Sequence, residues 1–227
     1  MSSPPVAPPH APFVELGPVA QLRAGRLTVR LTLLYVGLVV YGASLAMMVR
    51  ADLGLAPWDV LHSGLIRHVP VTLGQAVVLM SFVVLVLWIP LRELPGLGTI
   101  SNAVVVGLSC DATLLFLERP DAPALRVGLM LLGVATCGLA TALYIGAQLG
   151  RGPRDGLMTG LARRTGLSLR LVRTGLEVSV VLIGLLLGGE LGLGTVVFAL
   201  TIGPIAQALL PIFVVDVSRH RSSQGSR

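Results

Sequence analysis

The chain contains no lysine, and charged residues of every kind make up only 12% of its 227 positions. Soluble domains carry roughly a quarter charged residues. With about half that supply, a water-soluble globule of this size could not cover its surface, and disorder is excluded for the same apolar excess except at the ends. Two cysteines, Cys110 and Cys137, both lie in apolar stretches. A disulfide framework or metal knuckle needs more ligands at closer spacing, so both are packing residues. No His-Glu-x-x-His, phosphate-binding loop or clustered Cys/His is present, so metalloprotease, ATPase and redox roles lose support; neither enzymatic activity nor a cofactor is expected. What remains is 54% apolar residues and a mean hydropathy of +0.85, the composition of an integral membrane protein. The basic excess, 17 arginines against 11 acids, need not mean nucleic acid; arginines flanking membrane spans explain it, and the expected environment is a lipid bilayer.

Six runs are long enough to cross a hydrocarbon core ~30 Å thick, which needs ~20 residues. They are Leu31–Val49, Val69–Leu91, Leu94–Leu117, Val127–Gly150, Leu169–Gly189 and Leu191–Val215. Being continuous rather than alternating, they exclude a β-barrel. The predicted fold is all-α: six membrane helices, with residues 1–26 as a disordered cytoplasmic tail, 27–121 and 122–215 as membrane units, and 216–227 as a second cytoplasmic tail. With the N-terminus inside, thirteen arginines fall in internal segments and four (Arg50, Arg67, Arg119, Arg126) in external ones. That bias predicts a multi-pass protein of the bacterial plasma membrane with both termini cytoplasmic.

The chain repeats itself at an offset of 96 residues without a gap. GASLAMMVRADLGLAPWDVLHSGLIR from Gly42 lies on GLATALYIGAQLGRGPRDGLMTGLAR from Gly138, and GLGTISNAVVVG from Gly96 lies on GLGTVVFALTIG from Gly192. Leu/Val/Gly-rich spans resemble one another by chance, but a constant register that also aligns Pro57/Pro153, Asp59/Asp155 and Arg67/Arg163 indicates duplication. Three spans per copy is an odd number, so the second copy must enter from the opposite side. Such inverted pairs are frequent among secondary transporters, whose sites lie between the repeats.

Each copy holds a short helical segment between its first two spans, Pro57–His68 and Pro153–Thr165, opened by proline with an acid two residues later. Two half-helices dipping into the membrane from opposite sides would aim their N-termini at a ligand. Two interfacial helices lying flat, with Trp58 at the headgroups and His62 and His68 solvated, fit the same residues.

LGLAPWDVLHSGL and LGRGPRDGLMTGL resemble the bacterial YczE-type membrane proteins, relatives of YyaS and of the YitT group, over about residues 30–215. The resemblance implies a polytopic inner-membrane protein. Some relatives are linked to production of a nonribosomal peptide antibiotic, which implies an accessory or export role. No catalytic residues come with it, and Arg154 stands where the first copy has Trp58.

Asp111 lies ~8 Å beyond the centre of its span at 1.5 Å per residue, where a carboxylate marks either a polar pathway or a neutral acid bonded to a neighbouring helix. Its repeat equivalent is Gln207. Glu177 follows Arg173 by one turn, a spacing that suits a local ion pair as well as a functional intramembrane acid. Gln75, Asn102 and Gln148 suit either the lining of the same interface or interhelical hydrogen bonds, and Gly146/Gly150, Gly156/Gly160 and Gly184/Gly188 suit close helix packing. The leading expectation is a secondary transporter, in the export direction, of a small organic solute. Its site would be near Pro57, Trp58, Asp59, Asp111, Pro153, Arg154, Asp155 and Gln207, with Arg154 meeting an anionic group and Asp111 carrying a proton. The alternative is a non-transporting scaffold or accessory factor for a biosynthetic or membrane protein partner.

Overall fold

Proline at the first helical position opens four helices of the computed structural model, which describes residues 17–217: α1 (Pro18–Arg23), α3 (Pro57–Leu65), α6 (Pro123–Gly146) and α7 (Pro153–Thr165). A prolyl nitrogen leaves no unpaired N–H there. Hydroxyls open four more. Thr72 and Gln75 form a reciprocal capping box on α4 (Leu73–Leu91), and Ser168 accepts from the Leu171 N–H at the start of α8 (Leu169–Leu186). Thr99 and Thr195 accept from the N–H groups of Gly96 and Gly192, ahead of α5 (Leu97–Phe116) and α9 (Leu193–Phe213). The longest helix is α2 (Leu27–Ala51).

No strand occurs among the described residues. Five helices, α2, α4, α5, α6 and α9, are long and apolar enough to cross a membrane. The sixth expected span corresponds to α8, whose 18 residues include Arg170, Arg173 and Glu177, and these charges set it apart from the other five. The expected tail of residues 1–26 lies outside the described residues up to position 16. From residue 17 onward it is ordered rather than structureless: α1 forms, and the Gln21 carbonyl accepts from the Arg30 side chain at 2.6 Å. The second tail lies outside the described residues from position 218.

The helices pack in pairs that exchange under the 96-residue offset. α2 packs along α6, α5 covers α2, and α9 covers α6. Each short helix crosses to the other copy: α3 lies against α8, and α7 against α4. Two arginine clamps fix the central pair as antiparallel. From the first turn of α2, buried Arg30 donates to the carbonyls of Ala147 (2.8 Å) and Gln148 (2.6 Å) past the end of α6. From the first turn of α6, Arg126 donates to the carbonyls of Ala51 (2.8 Å) and Asp52 at the end of α2. Asp52 and Gln148 both take left-handed backbone (φ 52° each), which ends the helices and leaves those carbonyls in need of donors.

The turns that follow are exchanged in the same way. The Gly98 N–H donates to the Leu149 carbonyl and the Gly194 N–H to the Leu53 carbonyl, each at 2.7 Å. Gly54 and Gly150 make this crossing possible. Both have positive φ (115° and 126°), and a Cβ on Gly54 would lie 2.7 Å from the Gly192 backbone. Between helices in a membrane, where lipid is as apolar as leucine, such hydrogen bonds and close contacts supply the cohesion that water would otherwise drive.

One pairing is not exchanged. α4 docks on α5 through Gly74 and Gly107 and through Asp111, which accepts from the Gly74 N–H (2.8 Å) and the Thr72 hydroxyl. α8 makes no comparable contact with α9: Gly203, equivalent to Gly107, has open space around it, and Gln207, equivalent to Asp111, is exposed.

Candidate functional site

The short helices meet at their second residues. The Arg154 guanidinium stacks 5.0 Å from the centroid of the Trp58 ring, joining two positions related by the repeat offset. Trp58 is 6% exposed and belongs to an apolar cluster with Leu61, Val84, Trp88, Leu157 and Val180, drawn from α3, α4, α7 and α8. The cluster exists because each short helix inserts beside a helix of the other copy. Gly156 gives Trp88 the room it occupies, since a Cβ there would fall 1.9 Å from the indole. At the equivalent contact, Gly184 receives the Val60 backbone. Gly156 and Gly184 therefore serve the close packing expected of them.

Pro57 through Gly64 are all buried. Trp58 is packed as a core residue among side chains of four helices. His62, expected to be solvated, is 1% exposed and shares a 2.9 Å hydrogen bond between its Nδ1 and Oδ1 of Asp59, itself 1% exposed. The pair forms because a spacing of three residues sets the two side chains on one helix face. His68 is exposed and bonds the Leu187 carbonyl, as an interfacial histidine would.

In the second copy the equivalent acid finds a different partner. Half-buried Asp155 accepts from the Tyr144 hydroxyl at 2.6 Å, and Tyr144 packs edge-on against Tyr41 (centroids 6.1 Å apart). Trp88 closes the group by donating its indole N–H to the Pro153 carbonyl at 2.9 Å.

A cavity of about 650 Å³ lies beside this cluster, on the face that carries the N-terminal segment. Its wall includes Asp155, Thr159, Trp88, Arg92, Arg151 and Arg163, with α1 at its rim. On the opposite face the equivalent turn is bonded to its short helix. The turn after α8 folds over α3, where the Glu190 N–H donates to the Ser63 hydroxyl (3.1 Å) and Arg67 pairs with Glu190 (3.2 Å). The matching turn after α4 is likewise held to α7, where Arg163 pairs with Glu93 (3.1 Å) and donates to the Leu91 carbonyl (3.1 Å), while Leu94 lines the cavity.

Pro57, Trp58, Asp59, Pro153, Arg154 and Asp155 thus lie at or beside the meeting of the two short helices. Asp111 does not join them, because its carboxylate docks on the start of α4. Nor does Gln207, exposed on α9. Glu177 forms the expected ion pair with Arg173 at 2.9 Å. Gln75 completes the cap of α4, and Gln148 donates to the Val215 carbonyl (2.8 Å). Tyr41, Tyr144 and Trp88 were not anticipated in the site. Their signal in the chain is weak, being aromatic residues within or near spans.

Residues 28–211 match a family described as a family of unknown function, DUF6198. An uncharacterized protein of Haemophilus influenzae is 41% identical over 80% of this chain and 84% of its own length. The uncharacterized membrane protein YczE of Bacillus subtilis is 31% identical, covering 82% of this chain and 87% of YczE. The uncharacterized protein YyaS, also of Bacillus subtilis, is 25% identical over 85% of the chain and 96% of its own length. No solved structure matches.

Proposed function

The chain belongs to the DUF6198 family, alongside the membrane protein YczE, and from that premise we propose that it is a secondary transporter exporting a small organic solute across the bacterial plasma membrane. It spans the membrane six times in two inverted repeats with both termini cytoplasmic, α8 being the sixth span and compensating two of its charges in the Arg173–Glu177 pair. The antiparallel α2–α6 pair, the exchanged arginine clamps and the crossing of each short helix to the other copy all support this topology.

The observation that carries the transport reading is one-sided access. Asp155 lines a cavity of about 650 Å³, within the size range of small-molecule sites, while its repeat equivalent Asp59 is 1% exposed and bonded to His62. An inverted-repeat transporter in one of its two end states has this asymmetry. The single unmatched helix pairing supplies the movement. In the state described here α4 is docked on α5 and α8 stands off α9; in the opposite state α8 closes toward Gly203 and Gln207 while α4 leaves Asp111. Asp111 and Gln207 are then paired docking positions, and solute binds among Pro57–Asp59 and Pro153–Asp155.

Counterflow of a panel of labelled organic solutes in proteoliposomes tests the proposal. Flux of at least one solute that falls at least tenfold on Asp155→Ala supports it. No protein-dependent flux from correctly folded, reconstituted protein would refute it.

A further inference from the structure

We propose that Trp58 and Arg154 together bind the anionic group of an amphipathic organic solute, one donor coming from each repeat. This names the class of solute for the transport reading and rests on it.

The first observation is an orphaned donor. The indole N–H of Trp58 is buried and has no hydrogen-bond partner, although the residue is 94% enclosed. Buried polar groups are nearly always paired, so an unpaired indole N–H in a well-packed cluster calls for an acceptor that arrives from outside the protein. The chain's other tryptophan shows the contrast. Trp88, in the same cluster, spends its N–H on the Pro153 carbonyl.

The second observation is an uncompensated cation. Among the described residues, Arg67, Arg119, Arg126, Arg163 and Arg173 pair with carboxylates, whereas Arg154 has none within ion-pair distance. The acids in the first turns of the two short helices, Asp59 and Asp155, are engaged by His62 and Tyr144. Arg154 is half-buried and rests on the face of Trp58. An anion at this point gains a guanidinium, an indole N–H and the positive ends of two helices at once. Leu61, Val84, Leu157 and Val180 surround the indole, so the preferred ligand carries an apolar body rather than being a bare inorganic ion. Asp155, next in the chain to Arg154, and Trp88, packed in the same cluster as Trp58, line the cavity, which brings it beside the pair although neither Trp58 nor Arg154 lines it.

A carboxylate or phosphate of a free solute and the phosphate of an anionic lipid offer the same chemistry. The experiment separates them. Because the chain has two tryptophans, Trp88→Phe leaves Trp58 as the sole indole reporter. This variant is placed in nanodiscs of phosphatidylcholine and titrated with phenylacetate or its neutral analogue phenylacetamide, following indole emission. Thermal stabilisation of the wild-type chain by the same compounds gives a second readout should the variant fold poorly. Saturable binding of phenylacetate, at least tenfold weaker for phenylacetamide and at least tenfold weaker in Arg154→Gln, is the expected result. If phosphatidylglycerol in the nanodisc alone shifts the emission, and phenylacetate competes with it, the site stands with lipid as its source. Equal binding of acid and amide, or an Arg154→Gln titration unchanged in both readouts, overturns the proposal. Binding is measured without flux, so its failure is distinct from failure of transport. Flux of neutral solutes indifferent to Arg154 would end only the anion site, and anion binding without any flux would end only the transport reading.

Discussion

Arg30 and Arg126 stand 96 positions apart, and each holds the end of the other's helix: Arg30 bonds the carbonyls of Ala147 and Gln148, Arg126 those of Ala51 and Asp52. The two clamps tie the first helix of each copy to the first helix of the other. Arg30 also takes the Gln21 and Ala24 carbonyls, so one guanidinium satisfies four acceptors.

Removing such a donor set strands buried carbonyls. Arg30→Ala should destabilise the protein by about 3 kcal/mol, since each unsatisfied buried acceptor costs about 1–3 kcal/mol. Arg30→Lys should recover little, because an ammonium cannot reproduce the planar fork. Arg126→Ala should cost less, its side chain being 18% exposed. Thermal melts in detergent, followed by circular dichroism, give the order.

The Gly156–Trp88 contact makes a paired prediction. Gly156→Ala should destabilise by about 1–3 kcal/mol through overpacking, because its Cβ would overlap the indole. Trp88→Phe removes the overlapping ring atoms, so the double variant should lose less than the sum of the singles. A double-mutant cycle on melting measurements checks the sign of the coupling.

Much of this fold was legible in the chain. The six apolar runs correspond to α2, α4, α5, α6, α8 and α9 with ends displaced by a few residues, and the short segment from Pro153 to Thr165 is α7. The 96-residue register drew attention to Pro57, Asp59, Pro153 and Asp155, yet the same register relates Arg30 to Arg126, which are the stronger structural pair. They escape notice because span-flanking arginines already have an explanation in membrane orientation. Asp111 could be measured for depth along its own helix. What decides its role is the start of α4 passing beside it, a tertiary fact. The Trp58–Arg154 stack is invisible in sequence for a related reason: equivalent positions of a repeat touch only if they lie near the axis relating the copies.

Exchange between end states should be trappable. In the state described here a disulfide between Thr72→Cys and Asp111→Cys should form readily, these side chains being in hydrogen-bond contact. The equivalent pair, Ser168→Cys with Gln207→Cys, should cross-link only as the opposite state is visited. Asp111→Asn weakens the α4–α5 dock. If it costs about 1.4 kcal/mol, the Ser168–Gln207 cross-link should form about tenfold faster. Gel mobility after mild oxidation reports both.

The topology itself is tested most directly at Arg67 and Arg163, equivalent positions whose side chains are both more than half exposed. With Cys110 and Cys137 replaced, Arg67→Cys and Arg163→Cys are each labelled by a membrane-impermeant maleimide in intact spheroplasts and in inverted vesicles. Residue 67 should react only from the outside and residue 163 only from the cytoplasmic side. Reaction of both from one side would refute the inverted duplication and the alternating access built on it.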